Sequence, residues 1–265
     1  MGSLIFFSIG SGSSGNCYYL GTRNWGILID AGIPVRAIKR GLRQHGIGFE
    51  NIWGVIVTHD HTDHIKSIGV IGEILHIPVY VTREMHNGIN HNYRVTEKLS
   101  NSVRYYKKGE HFQINDLDIQ AFPVSHDATD SVGFTITFND KRFVIATDLG
   151  FIGKEAAEHI SRANFLVIEA NYDENMLKNG PYPYPLKERV RSHLGHMCND
   201  QTAQFIAANA NAGLSHIFLC HLSNENNTPQ IAYETVHNAL LEKGIEVKLL
   251  LPLPRTTVTD IFQLE

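Results

Sequence analysis

The sequence predicts a layered α/β fold. Two observations carry that expectation. Short β-branched and aromatic runs alternate along the chain with amphipathic helical patterns, the alternation that builds sheets covered by helices. Several of the strand-like runs also end on a polar residue of one chemical kind: Asp30, His59, His126, Asp148 and His221. In layered α/β folds, binding sites gather on the rim formed by the carboxyl ends of the strands.

Composition sets the limits. The 265 residues are 43% hydrophobic and 19% charged, which is ordinary globular usage. A chain of this length buries about 70–75% of its unfolded surface, so a single domain over residues 1–265 is expected to fold without disulfides or a structural metal. The formal net charge of −4 argues against a surface coated in basic groups. Cys17, Cys198 and Cys220 are far apart and form no C-x-x-C, which points to a reducing, cytoplasmic setting. The start, Met1-Gly2-Ser3-Leu4, lacks the basic region of a signal peptide. No apolar run reaches membrane-spanning length.

The elements follow in order. Residues 4–9 read as a strand. Gly10-Ser11-Gly12-Ser13-Ser14-Gly15-Asn16 follows, and then a strand over 17–20. Such a glycine-serine segment supplies a hairpin turn and exposed N–H groups suited to an anion. It lacks the Lys-Ser/Thr of a phosphate-binding loop and the helix of a dinucleotide fingerprint. A strand over 25–29 ends in Asp30-Ala31-Gly32. The helix predicted over 34–42 places Val35, Ile38 and Leu42 on one face, with Arg36, Lys39, Arg40 and Arg43 on a solvated one. Ile52-Trp53-Gly54-Val55-Ile56-Val57 reads as a buried strand and runs into Thr58-His59-Asp60-His61-Thr62-Asp63-His64.

Beyond it, helices are expected over 65–75 and 83–99, with His86 and His91 on the surface, and strands over 78–81, 103–106, 112–114 and 117–122. The chain then reaches Ser125-His126-Asp127. Residues 133–138 and 142–146 pair as a hairpin that ends in Thr147-Asp148. A helix over 154–161 precedes a strand over 165–168, which ends in Glu169-Ala170-Asn171. Three alternate prolines, Pro181, Pro183 and Pro185, mark residues 179–185 as an excursion that is neither helix nor central strand. Lys187, Arg189 and Arg191 follow it. A helix over 200–210, a strand over 217–220 ending in His221, a helix over 229–243 and a closing strand over 247–251 complete the reading.

Taken singly, Asp30 and Asp148 read as caps or turn residues, and His126 and His221 as satisfied core polar groups. The shared position at strand ends outweighs those readings. Two adjacent metal ions need about four ligands each, commonly with one shared carboxylate. His59, His61 and His126 suit one ion. Asp63, His64 and His221 suit the second, and Asp148 suits a bridge between them. Asp30 is placed to orient a ligand histidine. Imidazole and carboxylate without thiolate suit Zn²⁺, Mn²⁺ or Fe. A two-metal centre of this kind activates water against phosphodiesters, thioesters or lactams.

This series, Asp30, His59-x-His61-x-Asp63-His64, His126, Asp148 and His221, resembles the metallo-β-lactamase fold superfamily across nearly the whole chain. The fold that the resemblance implies is a four-layer αββα sandwich with the site along one edge. Ser11-Gly12-Ser13-Ser14-Gly15-Asn16, Glu169-Ala170-Asn171-Tyr172, the Gly-Pro-Tyr-Pro excursion and His221-Leu222-Ser223-x-x-Asn226-Asn227 are similar to the YycJ/WalJ-type hydrolases. Those are described as exonucleases acting on DNA from 5′ to 3′. Where that family tends to read Gly-His-Leu-Ser-Asn, this chain has Gly195-His196-Met197-Cys198-Asn199. By similarity to the transfer-RNA 3′-processing endonucleases, His196 would protonate the leaving oxygen. The space between Asp148 and His221 is too short for a β-CASP insert. A true β-lactamase would not need the carboxylate at 148, and no C-terminal helical domain of the glyoxalase II kind is legible.

The resemblance therefore implies a binuclear metal-dependent phosphodiesterase, a DNA nuclease in which a metal-bridging hydroxide attacks phosphorus. Asp63, His196 and Asp30 are its catalytic candidates. Ser13, Asn16, Lys187, Arg189 and Arg191 are its candidates for holding the substrate strand. Alternatives are hydrolysis of a small cyclic or nucleotide diester, RNA processing, and an inactive metal-binding sensor or scaffold. Homo-oligomerisation is left open.

Overall fold

The computed structural model describes residues 3–265; Met1 and Gly2, on which the reading of the N-terminus rests, lie outside them. The chain divides into two compact units. The first holds the described residues up to Ile119, with Ala128–Ser131 and Pro254–Glu265; the second holds Gln120–Asp127 and Val132–Leu253.

In the first unit, β1 (Leu4–Gly10) and β2 (Cys17–Gly21) form an antiparallel hairpin around the glycine-serine loop, and β3 (Gly26–Ile29) adds to β2. Helix α1 (Val35–Gln44) buries Ile38 and Leu42 and leaves its basic side chains in solvent, as the pattern predicts. Strand β4 (Ile52–Ile56) lies parallel to β3, and β5 (Val79–Val81) and β6 (Val103–Tyr105) continue in parallel. Buried strands read as continuous apolar runs, and β4, buried except at Trp53, is legible for that reason.

The region between β4 and β6 departs from expectation. The helix predicted over 65–75 is a short α2 (Thr62–Ile65) followed by a π-helical turn at Val70–Ile74. The helix predicted over 83–99 is α3 (Arg83–His91) and stops at Asn92. There the Asn92 side chain takes the Arg94 N–H and donates to Asp60 O and Thr62 Oγ1, a local bonding pattern that competes with the helix ladder.

Strand β7 (His111–Ile114) leads to β8 (Leu117–Pro123), and the second unit continues with β9 (Val132–Phe138) and β10 (Lys141–Ala146), an antiparallel pair. After α4 (Lys154–Ile160), strand β11 (Phe165–Glu169) runs parallel to β10. The proline-rich excursion is helical at both ends, as α5 (Glu174–Asn179) and α6 (Tyr184–Arg191). Pro185 sits in the first turn of α6, where its missing N–H has no intrahelical partner to lose and its φ is already helical. The expectation of no helix therefore fails at that end. Tyr172, Leu177, Val190 and Cys198 pin the excursion down in a small apolar cluster.

Helix α7 (Asn199–Asn209), strand β12 (His216–Cys220), helix α8 (Pro229–Glu242) and strand β13 (Leu249–Pro252) follow, with β12 parallel to both β11 and β13. Val144, Leu166, Ile168, Ile217 and Leu219 from these strands meet Ile160, Ile206, Val236 and Leu240 from the helices in one core. Each such burial contributes about 1.5–3 kcal/mol. The chain does not close on β13. A further strand, β14 (Phe262–Leu264), pairs antiparallel with β1.

Among the described residues there are two seven-stranded sheets, ordered β14-β1-β2-β3-β4-β5-β6 and β13-β12-β11-β10-β9-β8-β7. Each mixes antiparallel and parallel pairs. Among these residues no helix is long and apolar enough to cross a membrane.

Candidate metal centre

In the first unit, β3 and β4 end side by side, and Asp30 caps the rim. Its backbone N–H donates to Ile56 O. Its fully buried carboxylate accepts the Thr58 N–H at 2.8 Å, the Thr58 hydroxyl at 2.8 Å and Nδ1–H of His64 at 2.7 Å. Because the Thr58 proton goes to Asp30, the Thr58 oxygen is left to accept from His59 Nδ1 at 3.1 Å. One carboxylate therefore sets two imidazoles in the tautomer with the lone pair on Nε2, the form that binds a metal ion. His61 stands at the N-terminus of α2, its ring centroid 4.8 Å from that of His59. The Asp63 carboxylate lies 3.7 Å from His64 Nε2.

The glycine-serine loop is tied to this cluster. Asn16 N–H donates to Asp63 O at 2.7 Å, and Asn16 Nδ2 lies 2.9 Å from His64 Nε2. Asn16 is thus buried beside the motif, whereas Ser13 is exposed. Gly32 N–H donates to Asn16 O, and a Cβ at Gly32 would collide with the Asp63 carbonyl; no larger residue fits there. Asp60, the interleaved acid, turns away and accepts the Thr129 N–H at 3.0 Å and hydroxyl at 2.6 Å.

The second unit gathers His126, Asp148, His196 and His221. His126 donates from Nδ1 to Gly195 O at 3.0 Å, and its Nε2 lies 3.7 Å from Asp148. His221 Nδ1 lies 3.1 Å from Asp148 and 3.0 Å from Glu169. Glu169 is the residue that sequence reasoning passed over. It ends β11 directly opposite Cys220 of β12, so the strand-end rule that selected His221 also selects it. Fully buried, it accepts from Leu149 N–H at 3.0 Å, Met197 N–H at 3.1 Å, His196 Nδ1 at 2.7 Å and His221 Nδ1. Asp148, Glu169, His196 and His221 each offer a ligand atom, all within 4.8 Å of one another.

Burial by itself would push Glu169 up, but the charge and bonds of His196 and His221 outweigh it and hold the carboxyl below its ordinary value. Burial would likewise lower His196, but the contact with Glu169 raises it above the ordinary imidazole value.

Three of these residues share a backbone signature. Asp30, Asp148 and His221 have φ of 60°, 51° and 54°, the left-handed region that non-glycine residues seldom enter. Such conformations concentrate at functional positions. Each follows a strand and turns its side chain out of the ladder.

Lys187, Arg189 and Arg191 lie on α6. Arg189 makes a two-point pair with Asp127 at 2.7 and 3.0 Å, Arg191 pairs with Glu174 at 3.0 Å, and Lys187 donates to Lys178 O at 2.8 Å. All three hold the excursion in place.

The strand-end acids and imidazoles, with no thiolate among them, form clusters suited to divalent metal ions. This fold and donor set define a metallo-hydrolase. The family described as "Beta-lactamase superfamily domain" matches residues 25–221. Exodeoxyribonuclease YycJ of Bacillus anthracis is 34% identical over 92% of both chains. Exodeoxyribonuclease WalJ of Streptococcus pneumoniae is 31% identical over 90% of this chain and 89% of its own. The Zn²⁺-bound PqqB of Methylobacterium extorquens superposes with a TM-score of 0.72 at 15% identity, over 97% of this chain and 99% of that one. The chain belongs to the metallo-β-lactamase superfamily, in the group of the YycJ/WalJ-type hydrolases. The expected α/β sandwich class stands with it.

Proposed function

We propose that the two units act as one hydrolase domain and that the chain is a binuclear metal-dependent phosphodiesterase cleaving DNA from the 5′ end. Its YycJ and WalJ relatives, named as exodeoxyribonucleases, support the substrate. The observation that carries the chemistry is the orientation of the imidazoles: His126 and His221 direct Nδ1 to a carbonyl or carboxylate, which leaves Nε2 as the ligand atom, and His64 directs Nδ1 to Asp30 with Nε2 beside the Asn16 amide. In this reading His59, His61 and His126 hold one ion. Asp63, His64 and His221 hold the other, and Asp148 is shared.

When bound, two divalent ions supply Lewis acidity to the attacking water and the phosphate oxygens. The chain's own residues do the rest. Asp30 and Glu169 keep the ligand tautomers. His196, with Nδ1 held by Glu169, presents Nε2 to protonate the leaving oxygen. Ser13, the exposed residue of the loop, is the group left to contact the strand flanking the scissile phosphate, since Asn16, Lys187, Arg189 and Arg191 are held in the contacts described above. The buried cysteines Cys17, Cys198 and Cys220 suit a reducing cytoplasm.

The test uses purified protein with added Mn²⁺ or Zn²⁺, on 5′-labelled single- and double-stranded DNA, on RNA and on bis-p-nitrophenyl phosphate, beside Asp148→Ala and His196→Ala. DNA shortened from the 5′ end and lost with Asp148→Ala supports the reading. Turnover of the small diester alone overturns the DNA assignment. Metal binding without any hydrolysis overturns the enzymatic one.

A further inference from the structure

Within the first unit, a cavity opens on the same strand rim as the histidine motif and shares none of its candidate ligands. Its volume is about 630 Å³, and Arg83, Tyr105, Lys107, Glu110 and Phe112 line it. That size falls in the ~300–1,000 Å³ range of small-ligand sites.

The walls are flat and stacked. The Arg83 guanidinium lies 4.5 Å over the Tyr105 ring, and the Tyr105 hydroxyl is 2.8 Å from His86 Nδ1. Phe112 stacks between Tyr106, at 5.0 Å and 11°, and Tyr80, at 5.5 Å and 15°. Tyr105 is nevertheless 47% exposed. Charges nearly balance: Arg83, Lys107 and Lys108 face Glu84, Glu110 and Asp130. A site built for bare phosphate would carry an excess of cations. Aromatic and guanidinium planes with hydrogen-bonding groups of both signs suit a base carrying one phosphate.

Lys107 is the group available for that phosphate. Its side chain is 80% exposed, and its pair with Glu110 at 3.3 Å is of the surface kind that contributes little. Lys108, by contrast, is held to Asp130 at 2.6 Å.

The cavity is also in register with the motif. Ile56 of β4 is level with Tyr80 of β5, and Tyr80 with Arg104 of β6. Two strand spacings separate β4 from β6, roughly 10 Å, or about three stacked nucleotides. The segment Ala128–Ser131 joins the two places. Thr129 binds Asp60, Asp130 binds Thr82 and Lys108, and Ser131 bridges to His59.

We propose that this cavity binds an unpaired nucleotide of the substrate strand, with its base on the Tyr105–Arg83 stack and its phosphate on Lys107. The proposal rests on the nucleic-acid reading above. The experiment measures binding of a fluorescein-labelled oligo(dT) to the full chain in chelator, by anisotropy, and maps photo-crosslinks from the same oligonucleotide carrying 5-iododeoxyuridine. Loss of one base–aromatic stack predicts about 5- to 150-fold weaker binding for Tyr105→Ala. Tyr105→Phe stays within about twofold of wild type on the same ground, since it keeps the ring. Lys107→Glu, at a solvent-facing position, weakens binding without touching the fold, and crosslinks fall on Tyr105 or Phe112.

Unaltered affinity in both Tyr105→Ala and Lys107→Glu, with crosslinks elsewhere, overturns the cavity proposal and leaves the nuclease reading standing. Wild-type protein that hydrolyses bis-p-nitrophenyl phosphate but binds no oligonucleotide overturns both.

Discussion

Replacing Glu169 by Gln isolates what the buried carboxylate does. Its two oxygens accept four N–H groups: Leu149 and Met197 on one, His196 and His221 on the other. Glutamine has one acceptor oxygen. If its amide nitrogen faced the two backbone N–H groups, both would be left buried and unsatisfied, at about 1–3 kcal/mol each. The oxygen therefore turns to the backbone and the amide nitrogen to the imidazoles. With Asp148, 3.1 Å from His221 Nδ1, engaged by the metal ions in the proposed reading, both Nδ1 atoms must then accept, and the proton of His221 moves to Nε2. Two charge-assisted bonds become neutral ones, a loss of about 1–1.5 kcal/mol each, or about 2–3 kcal/mol in total. Displacing the lone pair from the ligand face predicts a 10- to 100-fold loss of metal affinity. Urea denaturation of chelator-treated protein measures the first quantity, and Zn²⁺ competition against a chromogenic chelator the second. Zn²⁺ affinity within about twofold of wild type, together with an unchanged midpoint, refutes the assignment of Glu169 as the orienting group.

Asp30→Asn acts in the same manner in the first unit: His64 loses its acceptor, and the metal content of the purified protein, measured by plasma mass spectrometry, falls relative to wild type. Gly32→Ala sets a Cβ against the Asp63 carbonyl and lowers stability by about 3 kcal/mol, read as a shift in urea midpoint at unchanged slope. Glu73 accepts N–H and O–H bonds from Ser100, Asn101 and Ser102. Burial would raise its carboxyl, but these bonds outweigh it and hold the group far below the ordinary Glu value. Its contribution is present at neutral pH and is lost as pH falls from about 4.5 toward the depressed value. Glu73→Gln therefore costs about 1–2 kcal/mol at pH 7, after allowance for solvent screening, and the gap to wild type narrows in acid, as paired denaturation curves at pH 7 and pH 3 will record.

The parts of the fold that local pattern controls were legible. β4 shows itself because, apart from the exposed Trp53, its residues are buried and none is polar until the chain leaves the sheet, where its first polar residues are the motif. The residues that failed to show are those decided by distant partners. β14 is three residues long and exists because β1 offers an edge for it to pair with. The stop at Asn92 depends on bonds to Asp60 and Thr62. Glu169 carried the same strand-end signal as His221, yet a carboxylate buried to that depth is recognisable only once four donors are seen around it. Arg189 and Arg191 read as open basic groups, and only folding brings Asp127 and Glu174 against them. The left-handed backbone at Asp30, Asp148 and His221 had only a weak sequence sign, since Asp and His enter that region more often than other non-glycine residues but still seldom.

The left-handed backbone at Asp30, Asp148 and His221 sets folding against chemistry. A non-glycine residue in the left-handed region costs of order 1–3 kcal/mol when the surroundings enforce it. At each of the three positions, glycine would relieve that cost while erasing the side chain. At 30 and 221 the buried bonds of Asp30 with Thr58 and His64 and of His221 with Glu169 offset that relief, so a selection for thermal tolerance alone would drift toward glycine at 148 first, emptying the rim there. Variants that gain melting temperature at these sites and lose turnover would trace where folding and chemistry compete. Durable forms of the enzyme are better sought in its solvent-facing helices, at residues such as Lys39, Arg40 and Glu242.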